Sequence, residues 1–189
     1  MWKKIPSFLN DESNTDKYET LVDFWISWTL RCANIIDLDN NNKKVNEYAR
    51  RMLSFCLSKK ENSNFLDGKI IKHIKCWKYY SIDGGQIDLW FELTIDKKKY
   101  ALIFENKVYS PIKEGQLEKY KMSIDEYFYN KKVEVIYIFF RASDDFIGND
   151  LEYCEKNNFV PILYYELQKL MDPKELTNND LFDEFWFRW

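Results

Sequence analysis

Cysteine and histidine are scarce and scattered in this chain of 189 residues: the cysteines are Cys32, Cys56, Cys76 and Cys154, and the one histidine is His73. No C-x-x-C pair occurs, and a single imidazole cannot complete a soft-metal set, so neither a zinc site nor a disulfide framework is expected. The four cysteines read as free thiols acting as small hydrophobes, as in a reducing compartment. Long apolar runs are also missing. The longest candidate, Val133 to Phe140, has the length of a strand, well short of the roughly 18 residues that span a bilayer. The opening Met1-Trp2-Lys3-Lys4-Ile5-Pro6 leads into the polar stretch from Asn10 to Lys17 and not into the apolar segment of a secretion signal, so the expected place is the cytoplasm, with no membrane partner. There is no excess of basic charge, the formal net charge being −3. That excludes a chain coated in lysine and arginine for indiscriminate polyanion binding. It leaves room for a local phosphate groove, and for a site built of carboxylates whose charge a divalent cation offsets. Internal repeats, low-complexity tracts and linkers are absent too, and the length suits one domain over residues 1–189.

What is present is a packed-core composition, 46% hydrophobic and 31% charged, with a periodicity that changes along the chain. Between Thr20 and Ile36 the residues Leu21, Phe24, Trp25, Trp28, Cys32 and Ile35 recur at steps of three and four, predicting a helix with that face buried. Asp37 to Asn42 breaks the pattern. A second helix is predicted from Val45 to Leu57, with Tyr48, Ala49, Met52, Leu53 and Cys56 inward. From Lys69 the period moves toward two, and a strand around Ile71 to Trp77, of ambiguous inward face, ends at Gly84-Gly85. Gln86 to Ile95 and Lys99 to Tyr109 read as a hairpin joined by the short polar link Asp96-Lys97-Lys98. After Ser110-Pro111 a helix returns, with Leu117, Tyr120, Ile124 and Tyr127 or Phe128 on one face and Asn130 as its stop. Val133 to Phe140 is apolar enough for a strand covered on both faces. A weaker strand from Phe159 to Leu163 leads into a helix from Tyr164 to Met171. The aromatic segment from Leu181 to Trp189 reads as a terminal helix docked on the core, or else as an oligomer contact.

The chemistry concentrates on the hairpin. Residues two apart on a strand share a face, so Glu105 and Lys107 project together while Asn106 points away. Normal pairing sets Asp88, near the start of its strand, opposite the end of the next, where Glu105 sits. Two acids this close repel unless a cation lies between them, and hard oxygen donors suit Mg²⁺ or Mn²⁺. A neighbouring ammonium can hold an attacking water or a phosphate oxygen, an arrangement suited to phosphodiester hydrolysis.

Gly85-Gln86-Ile87-Asp88-Leu89 followed by Leu102-Ile103-Phe104-Glu105-Asn106-Lys107 resembles the signature of the PD-(D/E)xK nucleases, with Ile87 in the degenerate proline slot. Gln116-Leu117-Glu118-Lys119-Tyr120 resembles the Q-x-x-x-Y helix of the RecB-like and lambda-exonuclease-like branch, its Gln and Tyr one turn apart. The resemblance implies an α/β fold with a restriction-endonuclease-like core at about residues 44–140. That core is a mixed central sheet of four to five strands flanked by helices in αβββαβ order, with an N-terminal helical segment and a C-terminal strand and helix extension. It implies a Mg²⁺- or Mn²⁺-dependent deoxyribonuclease of phage defence or repair. Asp88, Glu105 and Lys107 would be its reactive centre, Gln116 would help orient the metal site, and Tyr120 would contact phosphate or brace Lys107. Many relatives add a glutamate from the first core helix; Glu47 is the first choice for it and Glu19 the second. Asn106 would offer the metal its backbone carbonyl, and Lys113, Lys119 and Lys121 would offer phosphate contacts.

Other features read more plainly. His73 is a satisfied strand residue, Lys97 to Lys99 a solvated turn with contact to DNA backbone as its alternative, and Trp25, Trp28 and Trp77 core packing. Two other functions fit the same fold: a catalytically silent module binding DNA or protein, and an RNA-cleaving effector. A homodimer or a larger defence or repair complex fits the small size and the symmetry of a duplex.

Overall fold

A computed structural model describes residues 18–35, 38–39, 42–83 and 85–188. The opening segment discussed above, part of the break between the first two helices, Gly84 and Trp189 lie outside them. Two helices, α1 (Tyr18–Cys32) and α2 (Lys43–Leu57), precede three antiparallel strands, β1 (Ile71–Ile82), β2 (Gly85–Ile95) and β3 (Lys98–Lys107). Then come α3 (Gln116–Phe128), β4 (Val133–Arg141), α4 (Asp150–Asn157), β5 (Phe159–Leu163), α5 (Tyr164–Gln168) and α6 (Asp180–Arg188). The five strands form one mixed sheet in the order β1-β2-β3-β4-β5. β3 is its middle strand, antiparallel to β2 and parallel to β4. A parallel neighbour requires a crossover, and α3 supplies it. This is the helix-flanked mixed sheet expected for a restriction-endonuclease-like core.

The β2–β3 hairpin closes on Asp96-Lys97. Asp96 takes φ +54, a left-handed conformation that Asp tolerates, and its Oδ1 accepts the Ile70 amide at 3.1 Å. Leu102 and Phe104 of β3 point into one apolar layer with α1, α2 and α6, while Ala101 and Ile103 point into a second with α3. β4 alternates in the same way, Ile136 and Ile138 against Tyr137 and Phe139, so both central strands are covered on both faces, as their sequences suggest.

α2 buries Tyr48, Ala49, Met52, Leu53 and Cys56 completely, the face its periodicity predicts. In α3 the ambiguity resolves to Phe128, with Tyr127 44% exposed. α1 is rotated from its predicted phase: it buries Val22, Asp23, Ile26, Ser27, Thr29 and Leu30 and leaves Phe24 outside. The reason is that its inward polar groups have partners. Thr29 Oγ1 accepts Trp186 Nε1 at 3.0 Å, and Asp23 is bonded at the site described below. Trp77 is exposed on β1, whereas Trp25 and Trp28 pack partly buried against the core. α6 is docked through Phe182, Phe185 and Trp186, all fully buried, with Phe185 stacked on Trp25 at 5.1 Å between centroids. α5 ends three residues before the predicted Met171, and α4 has no counterpart in the sequence reading. The four cysteines are free. Among the described residues no helix is long and apolar enough to cross a membrane.

Candidate active site

Leu89 pairs with Phe104 across the hairpin, so the next step toward its open end sets Asp88 opposite Glu105. Glu105, two residues on from Ile103, faces the α3 layer and is 1% exposed. The Asn106 amide donates to Asp88 Oδ2 at 2.7 Å. Lys107 Nζ pairs with Glu105 Oε1 and donates to the Asn106 carbonyl at 3.2 Å. Asp88, Glu105 and Lys107 thus come together at the end of the central strand.

α3 enters from above this cluster. Gln116 Nε2 donates to Glu105 Oε1 at 2.6 Å and to the Tyr120 hydroxyl at 3.0 Å. Tyr120 in turn donates to the Gln86 carbonyl at 2.9 Å, so its hydroxyl ties α3 to β2 and is not bonded to Lys107. Gly85 makes this approach possible: a Cβ there would lie 2.8 Å from Cε1 of Tyr120. Only a residue with no side chain fits beside that ring.

Burial pushes the Asp88 carboxyl up from its ordinary range, against the pull of the Asn106 amide and the Lys107 charge. Glu105 is pushed up to about 8, first by burial and then by the Asp88 charge, with Lys107 opposing. Burial alone would lower Lys107, but the Glu105 and Asp88 charges outweigh it and hold the ammonium above its usual value. These directions describe a pocket short of positive charge. Glu105 Oε2 is buried with no hydrogen-bond partner, an orphan acceptor of the kind that calls for explanation. Two facing carboxylates with one orphaned oxygen, plus the Asn106 carbonyl, make a hard-donor set that fits Mg²⁺ or Mn²⁺, ions that keep several waters and need few protein ligands. Among the described residues no three His, Cys, Asp or Glu side chains form a ready-made metal cage, so water would complete the shell.

Glu47 is not brought to this cluster. It pairs with Lys44 at 3.1 Å and with Arg51 at 2.6 Å, both on its own helix. The second choice, Glu19, does reach it. Its Oε1 accepts the Val108 amide at 3.2 Å and Ser110 Oγ at 3.0 Å, and its charge acts on both Asp88 and Lys107. One turn further along α1 stands a residue the sequence reading missed. Asp23, 3% exposed, accepts Asn106 Nδ2 at 2.5 Å. Burial, and then the Asp88 charge, push its carboxyl up to about 7. Asn106 does point away from Glu105, as expected, but toward Asp23: its side chain grips α1 while its main chain grips Asp88 and Lys107. The available signal was an acid in a helical phase that only tertiary partners could satisfy.

Arg141 was missed as well. It is fully buried at the end of β4, paired with Asp150 at 2.6 Å, and it donates to the carbonyls of Val108 at 3.2 Å and Ser110 at 2.9 Å. Asp150 also accepts the Ile112 amide at 3.2 Å. The pair therefore fastens the connection between Lys107 and Gln116. Of the predicted phosphate contacts, Lys113 and Lys119 are exposed near the start of α3, and Lys121 is paired with Asp125 at 2.5 Å.

A family model described as the PD-(D/E)XK nuclease superfamily matches residues 26–178, a span that holds Asp88, Glu105, Lys107, Gln116 and Tyr120 and leaves Glu19 and Asp23 outside. No curated protein and no solved structure gives a significant match.

Proposed function

Because the chain belongs to the PD-(D/E)XK nuclease superfamily, we propose that it is a divalent-metal-dependent nuclease hydrolysing phosphodiester bonds in DNA. The observation that carries this reading is the meeting of the buried Glu105 carboxyl, the half-buried Asp88 carboxyl and Lys107 at the end of β3, with Glu105 Oε2 left without a hydrogen-bond partner.

Asp88 and Glu105 would hold Mg²⁺ or Mn²⁺, joined by the Asn106 carbonyl. The bound ion supplies a water of lowered pKa and offsets charge growing on the phosphate. The chain's own groups do the rest. An ammonium has three donors; Lys107 uses two on Glu105 Oε1 and the Asn106 carbonyl, which leaves one for the attacking water or a scissile-phosphate oxygen. Its side chain is 12% exposed, enough for a small reactant to reach. Gln116 fixes the Glu105 carboxylate from the α3 side, Tyr120 fixes Gln116, and Asp23 holds the peptide whose amide and carbonyl touch Asp88 and Lys107. These three are positioning residues. Glu19 is the helix acid that would reach the ion's waters. Lys113 and Lys119 would meet phosphates beside the cut.

The Gln116 and Tyr120 pair supports a place in the RecB-like branch, and the free thiols support a reducing, cytoplasmic setting such as phage defence or repair. One domain over residues 1–189 would carry the activity, and a two-fold dimer would set one centre on each strand of a duplex. The test is incubation with labelled linear, circular and single-stranded DNA and RNA, with Mg²⁺ or EDTA, and with Lys107→Ala as control. Mg²⁺-dependent DNA cleavage lost in Lys107→Ala is the expected result. Cleavage of RNA alone would make the protein an RNA-cleaving effector, binding without cleavage would make it a silent binding module, and cleavage surviving Lys107→Ala would defeat the mechanism.

A further inference from the structure

The central strand has a second charged end. Lys99 of β3 is in register with Val133 of the parallel β4, so the β2–β3 turn and the connection from α3 to β4 lie side by side at the strand ends remote from Lys107. Each brings exposed lysines: Lys97 and Lys99 from the first, Lys131 and Lys132 from the second. Together they line two adjoining hollows of about 530 and 560 Å³. Lys98, in the same rim, is neutralised by Glu134 at 2.5 Å. The other four have no carboxylate partner among the described residues. The remaining acid of the lining, Glu92, accepts Trp90 Nε1 at 3.1 Å, and neighbouring Asp96 turns its carboxylate to the Ile70 amide. Five lysines against Glu92 and Glu134 leave a local excess of three positive charges, in a chain whose net charge is −3.

Such an excess is self-repelling unless something anionic shares it. Lysine ammonium groups are compact charges suited to phosphate oxygens. Lys131 stands over the Tyr127 ring, 3.4 Å from its centroid, which holds one of these charges at the mouth of the cleft. The distance fits a polymer. Six residue steps along β3 take Lys99 to Glu105, about 20 Å at the strand rise, and α3, of 13 residues, spans about the same 20 Å from Gln116 beside Glu105 to Phe128 in the cleft wall. A duplex covers that span in roughly 6 base pairs.

We propose that the cleft of Lys97, Lys99, Lys131 and Lys132 is a phosphate-backbone anchor for the stretch of nucleic acid flanking the scissile bond, a contact separate from the catalytic cluster. The assignment of its ligand rests on the nuclease reading. The test is a quadruple variant with each of these lysines changed to Gln, all four side chains being exposed. Its binding to roughly 6-bp and roughly 20-bp labelled DNA hairpins is measured by anisotropy in EDTA across a salt series, beside the unmodified protein. Four lost phosphate contacts reduce the log–log salt slope for the long hairpin by about 3 to 4 and weaken binding about 10- to 100-fold at low salt, with the short hairpin unchanged. In the Mg²⁺ cleavage assay KM for the long substrate rises while kcat holds. An unchanged slope, an equal loss on the short hairpin, or no DNA binding by the unmodified protein overturns the anchor. Cleavage with an unchanged slope removes the anchor and leaves the nuclease reading standing. A lysine-dependent slope without any cleavage does the reverse.

Discussion

α1 and α2 pack into the same apolar layer, yet they bury different chemistry. α2 turns Tyr48, Ala49, Met52, Leu53 and Cys56 inward, bonds its buried Asn46 and Ser54 to the Cys32 carbonyl and the Leu66 amide away from the site, and leaves its acid, Glu47, to pair with Lys44 and Arg51. α1 places Asp23, Ser27 and Thr29 among Val22, Ile26 and Leu30, and sends Glu19 and Asp23 toward the end of β3. Burying an acid is unfavourable unless it gains partners, so Asp23 persists because Asn106 meets it. The difference teaches that α2 is architecture, while α1 couples that architecture to the candidate site.

Substitutions can break that comparison. The largest effect expected is from Lys107→Ala, which removes the free donor at the reactive centre and should lower the kcat of the folded fraction about 10²- to 10³-fold; because it also breaks the buried pair with Glu105, a melting curve beside the steady-state kinetics separates the loss of chemistry from any loss of fold. Leu53→Ala in α2 should do the opposite, losing about 2 to 5 kcal/mol of stability in denaturant titration while the folded fraction keeps its kcat. Asp23→Asn in α1 should resemble the lysine change on a smaller scale. Activity should fall about 10- to 100-fold, as for groups that orient metal ligands, with the melting point nearly held. An unfolding defect in place of that loss would make Asp23 merely structural. Smallest is Glu47→Gln, with kcat unchanged and at most about 1 kcal/mol lost, since its partly exposed ion pairs are screened by solvent.

The raised carboxyls also set a direction with pH. Glu105 moves from an ordinary 4.5 to about 8 and Asp23 from 3.8 to about 7. Between the ordinary and raised values the folded protein holds protons the unfolded chain has released, so the contribution of these two groups to stability is fullest below about 4 and falls as pH rises toward 8. In the absence of divalent ions the thermal midpoint should therefore drop from pH 5 to pH 8. Glu105→Gln should flatten that drop, and an unchanged slope would show that Glu105 ionises normally.

The sheet was largely legible in the sequence because its signals are local: β-branched and aromatic residues in β2 and β3, the short polar link Asp96-Lys97-Lys98 between them, and a continuous apolar run in β4. The site was legible to the extent that register is. Asp88 and Glu105 meet because a hairpin permits one pairing that keeps Leu89 and Phe104 inward. What escaped depends on partners far along the chain. The phase of α1 is set by Asn106 and Trp186, 83 and 157 residues from Asp23 and Thr29. Glu47 and Glu19 are both helix acids, and only the packing of α1 against the strands separates them. Arg141 and Asp150 carry no local pattern and become a pair only when β4 and α4 meet.

Mn²⁺ binding followed by electron paramagnetic resonance, with the unmodified protein beside Glu105→Gln and Asp88→Asn, tests most directly whether the two carboxylates cradle a cation. Bound Mn²⁺ in the unmodified protein that disappears in both variants is the predicted result. Equal binding by all three would contradict it.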